Sequence, residues 1–316
     1  MTIFNTVLII ACLCVPITNC DYFKEITIKI FRGDNPLTLV HANTVNDEEN
    51  VTEVQIEDED IPVLKTGTFQ NLSRLKVIRI HRNNLQNLES CPFYNVTALR
   101  IINLNFNRIK EVPENVFANL SVYKIALKGN GITLLKPGAF YNLSNLHALD
   151  LSSNNIKYLP RDLFYLTNNV KTINLSYNQM QYYWNIVPYS YFSEPFANVN
   201  QYEHSCIDLS FNNFTFISNM LLKSVPYLKE LYLNNNNIKR IGDAALSDLR
   251  WVETIDLEGN DLEKLSDRTL KSLSIANDVN LANNPWKDDF VCKYETWCSK
   301  NDKTNTMDTS CVIQKT

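Results

Sequence analysis

Aliphatic residues recur along the chain as a ladder, with successive spacings of 24, 24, 23, 24, 24, 34, 24, 24 and 24 residues. The ten rungs are Val54, Ile78, Ile102, Ile125, Leu149, Ile173, Ile207, Leu231, Ile255 and Val279. Self-similarity at such a period is typical of architectures in which each unit packs mainly on its neighbours. The ladder therefore predicts a stack of about ten similar units over residues 51–284.

Each unit combines a strand pattern with a later apolar pair. In Leu149-Asp150-Leu151 the apolar residues alternate with a polar one, which predicts a short strand with one buried face. The pair further along, such as Leu135 and Phe140, is expected to fill the core from the convex side. One unit buries little apolar surface alone, so stability should come from stacking.

An asparagine follows the strand in nine of the ten units. These residues are Asn83, Asn107, Asn130, Asn154, Asn178, Asn212, Asn236, Asn260 and Asn284. A buried asparagine can donate to and accept from backbone groups of a neighbouring coil. The first unit has Glu59 instead, which suits a terminal coil with no preceding neighbour to bond.

Length, composition and charge are consistent with one elongated domain. A chain of 316 residues would ordinarily suggest about two domains, but the uninterrupted repeat outweighs that expectation. The net charge of −4 and the pI near 5.7 argue against nucleic acid as a partner, because nucleic-acid binding needs concentrated basic charge.

The N-terminus has the pattern of a secretory signal peptide. Ile3 to Ile17 is almost wholly apolar, although no lysine or arginine precedes it, and cleavage is expected after Cys20. The apolar stretch is shorter than the roughly 20 residues of a membrane span. We therefore expect residues 1–20 to be removed and the mature chain to be secreted, extracellular and without a membrane span. Residues 21–50 form a capping region, in which Glu25 to Ile30 alternates like an edge strand.

Seven Asn-x-Ser/Thr sequons are candidates for N-glycosylation. They are Asn50, Asn71, Asn95, Asn119, Asn142, Asn174 and Asn213. Four of them share one repeat position, just after the convex phenylalanine, so glycans on these four would cover one flank. The alternative is that Phe-x-Asn-Leu-Ser is simply favourable repeat sequence. Asn174 is predicted to lie in a strand, where a glycan would obstruct the concave face.

Five cysteines remain after the expected cleavage. An odd number in an oxidising compartment implies a free thiol or a bond to another chain, and hence allows a disulfide-linked oligomer; retention of Cys20 would make the number even. Cys292, Cys298 and Cys311 follow the last repeat and are expected to form a C-terminal cap over residues 285–316. Cys292 with Cys311 is the preferred pair, and Cys298 with Cys311 stays open. The remaining two, Cys91 and Cys206, should lie on opposite sides of the coil, each as a packed thiol.

The motif from Leu146 to Leu159, Leu-xx-Leu-x-Leu-xx-Asn-x-Ile-xx-Leu, resembles the leucine-rich repeat, and the chain resembles secreted leucine-rich repeat proteins and Toll-type receptor ectodomains. The asparagine-rich units and short cap are most similar to coil-less mosquito leucine-rich immune proteins. The resemblance implies an α/β fold, a right-handed horseshoe-shaped solenoid with a parallel sheet on its concave face. It also implies an extracellular innate-immune role. The cap departs from the family pattern because Lys287 to Val291 separates Trp286 from the first cysteine.

The concave face is the predicted binding surface, because repeat arrays create extended concave surfaces. An acidic zone, Glu53 to Asp58, lies next to a basic one, and aromatic residues follow; opposite charges can steer a partner and aromatic residues can anchor it. The candidate contacts are Arg79, His81, Arg82, Arg100, Lys124, Tyr177, Asp208, Phe211 and Tyr232. The alternative is that these residues have no binding role and are polar only because a strand face exposed to water needs polar side chains.

The sixth unit, residues 170–203, is ten residues longer than the others and its extra segment is aromatic. It contains Tyr183, Trp184, Tyr191 and Phe192. Such a segment either packs against the solenoid or presents an anchor to a partner, and packing is the favoured interpretation because exposed aromatic clusters promote aggregation.

Sequence motifs of catalysis, phosphate binding and metal binding are not found, and the four histidines lie in unrelated surroundings. We expect no enzyme activity, no cofactor and no metal. The predicted function is binding of an extracellular protein or a microbial or glycan ligand. The alternative is a structural or matrix protein whose repeats tether without a specific immune role.

Overall fold

The computed structural model describes residues 27–32, 35–40, 50–160, 163–181, 195–196, 199, 205–223, 225–308 and 310–311. The predicted signal peptide lies outside the described residues. So do the four aromatic candidates of the long unit, Tyr183, Trp184, Tyr191 and Phe192.

Ten parallel strands lie in one sheet, and each carries one rung of the ladder. They are β3 (Glu53–Glu57), β6 (Val77–His81), β9 (Ile101–Asn103), β11 (Lys124–Ala126), β13 (Ala148–Asp150), β14 (Thr172–Asn174), β15 (Ser205–Asp208), β17 (Leu228–Tyr232), β19 (Thr254–Asp256) and β20 (Asp278–Asn280). Rungs face each other in register, and Ile173 pairs with Ile207 although 34 residues separate them. The long unit therefore keeps the sheet intact, and the predicted parallel-sheet solenoid is confirmed.

An antiparallel hairpin extends the sheet at its N-terminal end. It consists of β1 (Thr27–Arg32) and β2 (Asn35–Val40), and β1 also pairs antiparallel with β3. The backbone N–H of Thr27 donates to Oε1 of Glu59 over 3.1 Å. The expectation that Glu59 has no neighbour to bond was wrong, because the hairpin supplies a donor that an acceptor-only carboxylate can use.

Short strand pairs and stacked phenylalanines line the convex side. The pairs are β4 (Val63–Leu64) with β7 (Asn87–Leu88), β5 (Phe69–Gln70) with β8 (Phe93–Tyr94), β10 (Glu111–Val112) with β12 (Leu134–Leu135), and β16 (Phe216–Ile217) with β18 (Arg240–Ile241). Six rings, Phe69, Phe93, Phe117, Phe140, Phe164 and Phe196, stack in succession with centroids 5.7–6.4 Å apart. This spine joins neighbouring coils through continuous aromatic contact.

The repeated asparagines bond to backbone groups of neighbouring coils. Nδ2 of Asn154 donates to the Leu127 and Leu151 carbonyls over 3.0 and 2.9 Å, and its Oδ1 accepts from Ile132 N over 3.0 Å. Asn154 is 5% exposed, so these bonds satisfy backbone groups shielded from water. The pattern confirms the structural role predicted for the asparagine position.

Two helices close the C-terminal end, α1 (Asp267–Leu273) and α2 (Asp288–Asn301). Phe290 and Tyr294 of α2 are buried, and Nε1 of Trp286 donates to the Leu281 carbonyl over 3.0 Å. These side chains cover the apolar edge that the last coil would otherwise expose. Among the described residues, no helix is long and apolar enough to cross a membrane.

The cysteines divide into bonded and free. Cys292 and Cys311 form a disulfide, so the cap carries a bridge as the fold prediction required, and Cys298 is a buried free thiol. Cys206 is the other free cysteine among the described residues. Cys91 is disulfide-bonded, and its partner lies outside the described residues. The interpretation of Cys91 as a packed thiol was therefore wrong.

Candidate binding face

The concave face presents four residues from each coil. One precedes the rung, and the others follow it by one, three and four positions, as in Ala148, Asp150, Ser152 and Ser153 around Leu149. The second apolar residue, here Leu151, points inward and is buried. The strand alternation thus sets the face, and the residue types at these positions set its chemistry.

In six of the ten coils the residue one after the rung stabilises the turn that follows the strand. Oδ1 of Asp150 accepts from Ser152 N over 3.0 Å, and Asp208 and Asp256 accept from the corresponding N–H groups over 2.9 Å. Asn174 makes the same bond to Ser176 N over 3.0 Å. Either an aspartate or an asparagine oxygen can therefore serve this turn.

The position four after the rung is left-handed in every coil, with φ between 52° and 67°. These residues are Asp58, Arg82, Phe106, Gly129, Ser153, Tyr177, Phe211, Asn235, Gly259 and Asn283. Here the chain leaves the strand, and the backbone N–H still bonds the next coil, as Phe211 does to Asn234 O over 3.0 Å. Glycine and asparagine adopt this conformation readily, whereas side chains such as Phe and Tyr rarely do.

Three aromatic residues nevertheless occupy this left-handed position, and together we call them the aromatic rim. Phe106, Tyr177 and Phe211 are 48%, 56% and 39% exposed. The rings of Tyr177 and Phe211 stack with centroids 4.2 Å apart and planes 6° apart. A left-handed backbone costs a non-glycine residue about 1 kcal/mol or more. The fold thus keeps exposed aromatic side chains at the edge of the concave face despite a conformational cost.

The acidic and basic zones of the first two coils pair with each other. Arg79 forms an ion pair with Glu53, and Glu57 lies 3.3 Å from Nε2 of His81 and 3.4 Å from Nη1 of Arg82. Nδ1 of His81 is buried and has no hydrogen-bond partner among the described residues. Three of the predicted basic contacts are therefore partly neutralised within the protein.

The other two basic candidates differ in position. Arg100 lies at the leading edge of the sheet, two residues before the rung, and its Nη1 donates to the carbonyls of Leu99 and Ser121 over 3.0 and 3.3 Å. Its guanidinium thus lies at the edge and not on the concave face between the rungs. Lys124 is exposed on the face, between Ile101 and Ala148 in register.

The face from β13 to β20 carries carboxylates without cations. Its four positions in each of six coils include Asp150, Asp208, Glu230, Asp256, Glu258 and Asp278, and no lysine or arginine. None of these six has an ion-pair partner within the described part of the chain. We call this surface the acidic half.

Three groups of the acidic half, Cys206, Tyr232 and Asp256, have raised pKa values. Burial, with the charges of Glu230 and Asp208, raises the pKa of the Cys206 thiol to about 12. Burial and Glu230 raise the pKa of Tyr232 to about 12 as well, and the Tyr232 hydroxyl donates to Glu230 Oε2 over 3.2 Å. Burial also raises the pKa of Asp256, and the nearby Glu258 and Asp278 charges contribute.

The four aligned sequons lie on the convex flank in left-handed turns. Asn71, Asn95, Asn119 and Asn142 have φ between 51° and 62°. Nδ2 of Asn95 donates to Asn71 Oδ1 over 3.0 Å, and Nδ2 of Asn142 donates to Asn119 Oδ1 over 2.8 Å. Asparagine suits this turn with or without a glycan, which is a physical basis for the repeat-sequence alternative.

The other three sequons lie apart from this row. Asn50 and Asn213 are exposed. Asn174 is half-buried on the concave face, in register between Asp150 and Asp208. Glycosylation of all seven sites stays a prediction.

A groove on the convex side near the C-terminal cap has a volume of about 1150 Å³. Arg240 lies over the ring of Phe216 there, 5.7 Å from its centroid. Two ion pairs border the groove, Lys287 with Glu263 and Lys293 with Asp267, and the N–O distance is 2.6 Å in each. Among the described residues, no group of three or more His, Cys, Asp or Glu side chains could hold a metal ion.

Sequence reasoning missed several residues of the concave side. Phe106 belongs to the aromatic rim, and its place four residues after a rung could have identified it. Tyr123, 50% exposed, stacks on His147 at the leading edge with centroids 4.5 Å apart. Their spacing of 24 residues placed the two side by side, but exposure and ring orientation are not visible in a repeat pattern.

Comparison with known proteins gives family and fold matches. Residues 17–119 and 63–186 match the model of the BspA type leucine rich repeat region, and residues 206–262 match the leucine rich repeat model. No curated protein matches.

Chains of two solved complexes illustrate the shared fold. A chain of the glycosylated Toll–Spatzle complex, described as a molecular hub in Drosophila development and innate immunity, aligns with a TM-score of 0.63 and 22% identity. The match covers 74% of this chain and 32% of that chain, so this chain spans about a third of its length. A chain of the octameric complex of Latrophilin 3, Unc5D and FLRT2 aligns with a TM-score of 0.58 and 18% identity, covering 85% of each.

Proposed function

Because this chain belongs to the leucine-rich repeat family, we propose that it is a secreted protein that binds an extracellular protein through its concave face, in innate-immune recognition. The observation that carries the proposal is the stacked, exposed pair Tyr177 and Phe211. Large rigid aromatic side chains are enriched at the energetic centres of protein interfaces.

The conformation of the pair argues against an incidental surface feature. Both residues adopt a left-handed backbone, which neighbouring coils fill with Ser153 and Asn235. Those polar residues would serve the turn at lower cost and expose less apolar surface. A partner that covers the rings would offset both costs.

Several features support the extracellular location. The cap contains the Cys292–Cys311 disulfide, and disulfides persist mainly in oxidising compartments. The N-terminal apolar stretch and the sequons fit the same compartment. The Toll–Spatzle complex, whose description names innate immunity, supplies the analogy for the immune role.

We propose an extracellular protein as the partner. A microbial or glycan ligand is the second candidate class, and the test must distinguish it from a protein partner. A disulfide-linked oligomer is also proposed, and it would use Cys206, the half-exposed free thiol among the described residues. The raised pKa of Cys206 keeps the thiol protonated and opposes that bond. We propose no enzymatic role.

The test compares two stacked aromatic pairs. Tyr177→Ala with Phe211→Ala removes the concave pair, and Tyr141→Ala with Tyr165→Ala removes a stacked pair on the other side of the coil, with centroids 5.9 Å apart. Complexes formed in extracellular fluid are measured by cross-linking and sedimentation. The proposal requires a defined complex that the concave variant loses and the control variant keeps.

The tethering alternative predicts a different result. If neither aromatic variant changes any complex, and Arg79→Glu with Lys124→Glu also leaves assembly unchanged, the concave face has no specific partner. The repeats would then act as a structural spacer. Catalytic turnover by the purified protein would instead indicate an enzyme, and glycan binding would indicate a glycan-binding protein.

A further inference from the structure

Resting on the proposed function, we infer that the acidic half docks an arginine-rich, extended segment of a protein partner. The surface runs from β13 to β20, with the Tyr177–Phe211 pair at its edge. The inference concerns the chemistry of the partner, which the repeat fold itself leaves undefined.

Charge complementarity is the first argument. The six carboxylates of the acidic half have no ion-pair partner among the described residues, whereas Arg79, Arg82 and His81 of the first coils already face Glu53 and Glu57. Uncompensated charge of one sign on a concave surface concentrates partners of the opposite sign. The binding potential therefore lies at the C-terminal part of the face.

Cations border the acidic half at its leading edge and in the preceding coil, where Lys124 stands in register with Ala148, and none occupies a concave-face position of the half itself. Lys229 forms an ion pair with Glu253, and Lys171 stands two residues before its rung. Neither lysine occupies one of the four concave-face positions of its coil.

The carboxylates are not required by the fold, and this is the second argument. Asp150, Asp208 and Asp256 each accept a backbone N–H through Oδ1. Asn103, Asn174 and Asn280 make the equivalent bond over 3.0, 3.0 and 3.2 Å. Since a neutral asparagine stabilises the turn in three coils, the turn does not explain why the other three coils have a charged aspartate at this position.

One carboxylate opposes stability. Burial raises the pKa of Asp256, with Glu258 and Asp278 adding repulsion, so its ionised form is disfavoured in the folded protein. A charge that is dispensable for the turn and unfavourable where it stands fits a binding role.

The aromatic pair gives the third argument, which favours arginine. A planar guanidinium stacks on an aromatic face and also binds a carboxylate with two parallel hydrogen bonds. Phe211 is exposed, and Asp208 precedes it by three residues on the same coil. One arginine can thus contact the rim while a neighbouring basic residue reaches the carboxylates.

The test uses a synthetic peptide, four repeats of Arg-Ser-Gly, with glutamate and lysine versions as probes. Isothermal titration at low and at physiological salt measures binding to the wild type and to the triple variant Asp150→Asn, Asp208→Asn and Asp256→Asn. The asparagine substitutions keep the turn hydrogen bonds that Asn174 shows. We expect the triple variant to bind the arginine peptide about tenfold more weakly.

The matched control has the same change of charge elsewhere. Glu114→Gln, Asp243→Asn and Asp302→Asn lie away from the concave face, and Asp302 has a left-handed backbone that asparagine also adopts. We expect this control to bind the arginine peptide within about twofold of the wild type, because screening limits the effect of distant charges. Tyr177→Ala with Phe211→Ala should weaken the arginine peptide more than the lysine peptide.

Two results would overturn the inference: equal affinity for the arginine and glutamate peptides, or equal losses in the triple variant and its control. Failure of the proposed function looks different. If the complex in extracellular fluid depends on Tyr177 and Phe211 but not on the three aspartates, the concave face binds a partner and the partner is not basic. If it depends on neither set, the proposed function itself fails.

Discussion

The ring of Phe106 lies over Gly129 of the next coil, where a Cβ atom would stand 2.7 Å from Phe106 Cδ1. Gly129 has φ of +67°, and both residues occupy the left-handed position of their coils. The absence of a side chain in one coil therefore lets the preceding coil hold its aromatic ring flat against the edge of the face.

We expect Gly129→Ala to destabilise the fold by about 1–3 kcal/mol, because alanine pays for the left-handed backbone and its Cβ displaces the Phe106 ring. Urea denaturation measures the loss. In a Phe106→Ala background only the backbone cost remains, so the same substitution should cost about 1 kcal/mol there. Equal costs in the two backgrounds would show that the ring does not rest on Gly129.

The asparagine ladder should matter most in the middle of the stack. Oδ1 of Asn154 accepts from the N–H groups of Asn130, Gly131 and Ile132 over 2.9–3.2 Å. Asn154→Ala should cost about 3–5 kcal/mol, because it leaves several buried polar groups unsatisfied.

Asn284 is the matched control at the end of the stack, where it is half-buried and accepts from Leu262 N over 3.1 Å. Asn284→Ala should cost clearly less, since water can reach part of that site. Chemical denaturation of both variants checks the order, and a larger loss at Asn284 would contradict it.

Asp256 should make stability depend on pH. Its pKa is raised in the folded state, so both states are protonated at low pH, and the folded state keeps its proton to higher pH. The stability that depends on this proton is lost as pH rises from the usual aspartate pKa through the raised pKa of the folded state. Asp256→Asn should therefore flatten the curve there and leave the neutral-pH protein at least as stable. A less stable variant at neutral pH would contradict the sign.

The two free thiols described in the structure should react slowly with maleimide near neutral pH. Burial raises the pKa of both Cys206 and Cys298, and the thiolate is the reactive form. Cys206 is the more exposed of the two, so Cys206→Ser should remove most of the native-state labelling. Rapid labelling, or a dimer on non-reducing gels that Cys206→Ser abolishes, would restore the oligomer as a leading proposal.

The fold could be predicted because its determinants are local and repeated. Rungs such as Val54 and Ile78 stand in register at the spacing that the sequence shows, and Asn154 bonds as its position indicated. Glu59 was misjudged because its partner, Thr27, belongs to a hairpin that pairs antiparallel and follows no repeat.

The binding face was less predictable, since its properties depend on pairing between coils. Register alone made Arg79 and Arg82 look like free basic contacts, whereas each faces a glutamate one coil earlier. The aromatic rim depends on a left-handed backbone that favours glycine and asparagine, so Phe106 was overlooked although its place four residues after a rung matches that of Tyr177 and Phe211.

Asn174 links the glycosylation prediction to the binding face. Its Oδ1 accepts from the backbone N and the Oγ of Ser176 over 3.0 and 2.7 Å, and it stands between Asp150 and Asp208 in register. A glycan there would cover the carboxylates that we assign to a basic partner. We therefore narrow the glycosylation prediction to the other six sequons and expect glycopeptide mass spectrometry of the secreted protein to find Asn174 unoccupied.

Two sequon variants sharpen the test. Ser176→Ala should leave the protein's mass unchanged beyond the substitution and keep affinity for the arginine peptide, because Ala282 fills the same repeat position in the last coil. Thr97→Ala removes the sequon of Asn95 on the convex flank, so it should lose the mass of one glycan and bind equally well. An occupied Asn174 with tight binding only after its glycan is removed would mean that the acidic half is shielded in the secreted protein, and the partner would have to dock elsewhere.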